Sequence, residues 1–189
     1  LDYASSSLLV RSGGAVELAG GAVRGPGALT VQSGGRADLE GVALEYYDGG
    51  SVYTRGSPQV TYQSGSAGTV EDCSGDWTLT AASSSLTVGG CSLRYVTLGG
   101  GAPTVTGTTF TDAAPIRITD PDAELSGFSG NTYPADAWVS LYGTLNGPRE
   151  LGFVDGTLGR YRLNSDVTVA AGGALTLAPG ALLVSDAAA

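Results

Sequence analysis

One spacing recurs along this chain and narrows what it can fold into. An aliphatic residue is followed by two variable positions, Gly-Gly, one variable position, and two apolar residues flanking a variable one. Val10-Arg-Ser-Gly13-Gly14-Ala-Val16-Glu-Leu18 is the first copy, and Val31-Gln-Ser-Gly34-Gly35-Arg-Ala37-Asp-Leu39 is the second. Val169-Ala-Ala-Gly172-Gly173-Ala-Leu175-Thr-Leu177 is the third, and Thr80-Ala-Ala-Ser83-Ser84-Ser-Leu86-Thr-Val88 repeats it with serines for the glycines. The apolar–variable–apolar end of each copy has the period of a short strand with one buried face. The glycines before it suit a corner needing positive φ. Strands this short cannot form an independent hairpin or sandwich. Stacked about every 21 to 25 residues, each can bury its apolar positions on the copies above and below, as in a solenoid.

Other short strands fit between the copies: Val42 to Tyr47, Val52 to Thr54, Gln59 to Tyr62, Ser92 to Thr97, Thr104 to Thr106, Ile116 to Thr119, Val139 to Tyr142 and Tyr161 to Leu163. Corners fall at Asp48-Gly-Gly, Gly99-Gly-Gly, Asp120-Pro-Asp, Gly130-Asn-Thr and Asn146-Gly-Pro. No window carries a helical stripe. The expected fold is all-β: residues 1–189 form a single right-handed parallel β-helix of roughly eight or nine coils, almost without helix.

Composition agrees. Charged residues make up 14% of the chain, against roughly 25% in ordinary soluble domains. All nine basic residues are Arg and the net charge is −9. With no basic cluster to neutralise phosphates, nucleic acid is excluded as a partner. No apolar run reaches the ~18 residues of a membrane-spanning helix, so no membrane insertion is expected. No leader is visible, and the first residue is Leu1, which reads as a mature chain or a segment of a longer one.

Cys73 and Cys91 are spaced by a little under one coil, so neighbouring coils could bring them together. A disulfide would require an oxidising compartment. Two buried free thiols are the other reading, and the sequence leaves both open.

The stretch from Tyr161 to Leu183, YRLNSDVTVAAGGALTLAPGALL, resembles a recurrent motif of bacterial secreted and cell-surface right-handed parallel β-helix repeat proteins, which share the pectate-lyase-like solenoid shape. Gly130-Asn131-Thr132-Tyr133 through Val139-Ser-Leu141-Tyr-Gly143 is similar to the segment that often precedes it. The resemblance covers roughly residues 125 to 189. It implies the fold and an extracellular or cell-surface location, and it leaves activity open, since adhesins, stalks and carbohydrate-active proteins share it.

Read from end to start, LTLAPGALLVSDAAA runs into LDYASSSLLVRSGGAVELAGG as uninterrupted β-helix sequence. Neither end carries an obvious cap. Open solenoid ends recruit further strands, and head-to-tail contacts that do not close into a ring build filaments. Leu1, Tyr3, Leu8 and Val10 at one end, with Leu177, Leu182, Leu183 and Val184 at the other, are therefore the expected assembly contacts. The expected partners are further copies of the chain, with surface polysaccharide as a second possibility. A shortened segment of a longer chain is the plainer account of such ends.

Catalysis is not expected. Without His there is no nucleophile–base triad, and two cysteines without imidazole do not make a zinc site. No Gly-rich stretch opens a helix to cradle phosphate, and no cofactor is expected. Asp120 and Asp122, with Arg117 nearby, are a weak Ca²⁺ or catalytic candidate, but Asp-Pro-Asp is also ordinary turn chemistry. Tyr46, Tyr47, Tyr53 and Tyr62 could form an exposed ladder for glycan or lateral contacts, or cover the core at coil edges. Threonines raise ice binding, but the copies do not repeat Thr at one fixed position. The expected function is a structural building block of an extracellular filament, stalk or surface layer. A carbohydrate-binding or polysaccharide-degrading module, or an adhesin, is the alternative.

Overall fold

A computed structural model describes residues 7–47, 56–121 and 123–185. Those residues form a parallel β-solenoid of about eight turns, and none of them is helical. Its first sheet has nine strands, each hydrogen-bonded to the strand one turn away: Ser7–Val10, Ala28–Val31, Gln59–Tyr62, Thr78–Ala81, Tyr95–Leu98, Ile116–Ile118, Val139–Leu145, Arg160–Val169 and Leu182–Ser185. The second sheet has six: Ala15–Ala19, Arg36–Glu40, Ala67–Glu71, Ser85–Gly89, Thr104–Thr106 and Phe128–Ser129. A third side is built from Ala22–Arg24, Ala43–Glu45 and Ser74–Gly75, followed by the pair Ser92–Leu93 and Thr109–Phe110.

Register turns the sequence pattern into columns. Leu29, Val60, Leu79, Val96, Ile116, Val139 and Tyr161 stack in one inward column of the first sheet. Leu39, Val70, Val88, Val105 and Phe128 do so in the second. All are buried. Each such side chain contributes about 1.5–3 kcal/mol relative to exposure, so neighbouring turns supply the core that no turn has alone.

The two glycines of the repeat serve different ends. Gly34 adopts φ 74° at the corner. Gly35 lacks that φ, but a Cβ there would lie 2.9 Å from the Val10 carbonyl oxygen. Gly68 is an inward glycine for a third reason. It faces Ala37 one turn below, and the Tyr62 ring fills the space, with Cε1 2.7 Å from where a Cβ would sit. The Tyr62 hydroxyl donates to the Ala37 carbonyl at 2.8 Å.

The repeat has one further copy that the sequence pattern missed, Tyr62-Gln-Ser-Gly65-Ser66-Ala-Gly68-Thr-Val70, disguised by Ser66 and Gly68. Several expected strands match. Gln59–Tyr62 and Thr104–Thr106 are found as read. The segment from Ser92 to Thr97 is instead two strands, Ser92–Leu93 and Tyr95–Leu98, on different sides of the coil. Arg94 makes the corner between them and its amide donates to the Trp77 carbonyl. The strand expected from Val52 to Thr54, and the corner at Asp48, lie outside the described residues.

The cross-section changes near the C-terminal end. Val139–Leu145 and Arg160–Val169 are longer than their predecessors, with a register shift between Leu141 and Gly143. Pro148–Leu151 pairs with Ala174–Leu177 and does not join the six-stranded second sheet. A cleft of about 380 Å³ opens between Glu124–Ser126 and Pro148–Val154.

Candidate functional site

The outer column of the first sheet reads Leu9, Thr30, Thr61, Thr80, Thr97, Arg117, Ser140, Arg162, Val184. Among the described residues, aliphatic side chains stand in this column only on the rungs of Leu9 and Val184. Leu9 is 41% exposed and Val184 39%. The inward column behaves likewise at its start, where Leu8 is 46% exposed and Leu29, one turn in, is 8%. Leu182 is 49% exposed, and Val23, Val169 and Leu177 are exposed as well.

Of the residues expected at the ends, Leu8, Leu177, Leu182 and Val184 are therefore exposed, while Leu183 is half-buried. Val10, by contrast, is buried. Leu1 and Tyr3 lie outside the described residues. Leu9, Val23 and Val169 were not singled out from the sequence. The signal for Leu9 was available, because it is an aliphatic residue where the next four strands place Thr.

Among the described residues the tyrosines do not form a ladder. Tyr46 and Tyr47 are exposed, Tyr53 lies outside the described residues, and Tyr62 is wholly inside the stack. Burial, with the charge of Asp38 adding to it, drives the Tyr62 phenol well above its ordinary pKa. It is a core residue and offers nothing to a glycan.

The threonines do share a fixed position, contrary to the sequence reading. Thr30, Thr61, Thr80 and Thr97 stand on four consecutive rungs of the outer column. Unequal turn lengths hid this, since the chain runs much further from Thr30 to Thr61 than from Thr80 to Thr97. The flanking positions on these strands are irregular, so the threonines make a single file and not the two-dimensional array that an ice plane requires.

Beyond the threonines the same face becomes aromatic and basic. Arg117 lies 3.5 Å over the Tyr95 ring and 3.5 Å from an Asp112 carboxylate oxygen. Arg162 lies 4.9 Å over the Trp138 ring. Asn164 donates to Ser140 Oγ at 2.6 Å and to the Tyr142 hydroxyl at 3.1 Å. Asp122 lies outside the described residues, and among those described no three metal-ligating side chains converge.

Cys73 and Cys91 stack on adjacent turns, as their spacing allowed. Both are buried free thiols. They continue an inward corner position occupied by Val42 below and Thr108 above, each of these just ahead of a third-side strand. The interaction between the two neighbouring thiols holds Cys73 below its ordinary pKa and pushes Cys91 up, with burial adding to the rise. Cys91 Sγ also lies 3.4 Å from the Val70 carbonyl oxygen.

No protein-family model matches this chain, and no curated protein or solved structure is significantly similar to it.

Proposed function

We propose that this chain is a structural unit of an extracellular or cell-surface assembly of bacterial origin, joined head to tail by stacking the last turn of one copy on the first turn of the next. It acts as a scaffold and performs no catalysis. The observation that supports this reading is the placement of Leu9 and Val184. On an outer column otherwise built from Thr, Arg and Ser, solvated aliphatic side chains cost hydration at the first and last rungs alone. Stacked rungs would cover them and Leu182 together. Strand edges brought together at such a joint would hydrogen-bond in the same step.

Concentrated protein should form unbranched fibres visible by negative-stain electron microscopy. Leu182→Asp should leave a folded monomer with unchanged circular dichroism, because a charge at a solvated end position harms only the joint. Wild-type protein that stays monomeric in sedimentation at millimolar concentration overturns the proposal.

A second reading, a carbohydrate-binding module, draws support from the outer face at Tyr142 and Asn164, where a phenol and a planar amide donor lie together. Retention on polysaccharide affinity gels, lost in Tyr142→Ala, would favour it.

A further inference from the structure

The cleft beside the break in the second sheet contains an Arg in an unusual place. Arg149 sits two residues before the buried Leu151 and so shares its strand face, and it pairs in register with Leu175. Its side chain borders a small apolar void together with Ile118, Leu141, Leu145 and Val167. It also borders the open cleft, together with Phe153 and Tyr161. A core-facing strand position thus carries a half-buried Arg. Among the described residues Arg149 has no hydrogen-bond or ion-pair partner.

A charge in such a place is unfavourable unless something offsets its lost hydration. Its field is felt inside the cleft: burial raises the Tyr161 phenol, and Arg149 partly opposes that rise. The Tyr161 hydroxyl is itself fixed, donating to the Gly152 carbonyl at 2.7 Å. Phe153, 47% exposed, supplies an apolar wall.

We infer that this cleft is a binding site for a small monocarboxylate, with Arg149 taking the carboxylate and Phe153 lying against the ligand's carbon skeleton. A volume of about 380 Å³ is at the low end for small-molecule sites, which span roughly 300–1,000 Å³. Two further carboxylates, Glu124 and Glu150, line the cleft and are exposed. They disfavour a dianion such as phosphate. They favour a ligand whose other groups donate hydrogen bonds, such as the hydroxyls of a uronic acid or the ammonium of an amino acid. The site is independent of end stacking.

The test is calorimetric titration of the whole chain with glucuronate, L-alanine, glucose and inorganic phosphate. Saturable binding of glucuronate or L-alanine supports the site and identifies the source of the carboxylate, while glucose should not bind. Arg149→Met, which keeps the stem and removes the charge, should weaken binding roughly 10- to 100-fold. Phe153→Ala, at an exposed wall, should weaken it with the fold intact, which keeps the test open if Arg149→Met does not fold. Neither carboxylate binding, phosphate binding more tightly than both, or undiminished affinity in the variants would each overturn the inference.

Discussion

Three phenols, Tyr62 and Tyr161 buried and Tyr133 half-buried, make the fold sensitive to alkali. Burial carries Tyr161 up to about 12, and Tyr62 and Tyr133 are raised further by burial and nearby carboxylates. A phenol whose folded pKa exceeds its unfolded value stabilises the fold while neutral. That contribution is complete below about pH 10 and is lost as pH rises toward and past 12. Denaturant midpoints should fall above about pH 10, and Tyr161→Phe should make the fall shallower. Midpoints independent of pH across that window would contradict the burial of these rings. Gly68→Ala is a separate prediction. Its Cβ would collide with the Ala37 carbonyl and the Tyr62 ring, and overpacking of this kind costs about 1–3 kcal/mol, measurable by urea denaturation. The sequence could not show this. Gly68 reads as one more turn glycine until Tyr62 is known to lie across it.

At the scale of elements, short strands depend on what ties their corners. Asp155, in a turn with φ 54°, accepts the Gly130 amide at 2.8 Å and the Asn131 amide at 2.5 Å. Asn131 in turn accepts from Thr108 N at 3.0 Å and donates to the Val105 carbonyl at 3.0 Å. The corners of three turns are thereby joined by side chains. Asp155→Ala should lower stability by about 2–3 kcal/mol, since hydrogen bonds to a charged acceptor are lost and two amides are left unpaired. Chemical denaturation would show it, and Asp155→Asn should recover part of the loss. Gly130-Asn131-Thr132 was legible as a corner, but Asp155 as its clamp was not, because a full turn of chain separates it from Asn131. What was legible was local: Gly-Gly corners and apolar alternation in the copies at Val10, Val31 and Val169. What was hidden depended on turn length. Thr78 stacks on Tyr95, yet Ala28 stacks on Gln59, nearly twice as far along the chain. A fixed period could therefore neither align Thr30 with Thr61 nor reveal Arg149 beside the cleft.

For the whole molecule, nine stacked strands at ~4.8 Å spacing give a rise of about 40 Å per copy. Aligned fibres should diffract on the meridian at ~4.8 Å and show an axial period near ~40 Å, and fibres lacking both would rule out coaxial stacking. The interior should respond differently from the ends. Leu39→Asp places a charge in the wholly buried column and should abolish folding, whereas Leu182→Asp should abolish only assembly. Circular dichroism separates the two outcomes.

The unequal turns also set how such a rod would yield under load. A turn adds only ~4.8 Å of height, but its chain measures about 60–110 Å when drawn straight, the shortest and longest turns setting the limits. Peeling one turn from a strained rod would therefore release roughly ten times the length it occupied, or more. The long turn between Ala28 and Gln59 would give the largest single extension, so the rod would lengthen stepwise before it broke.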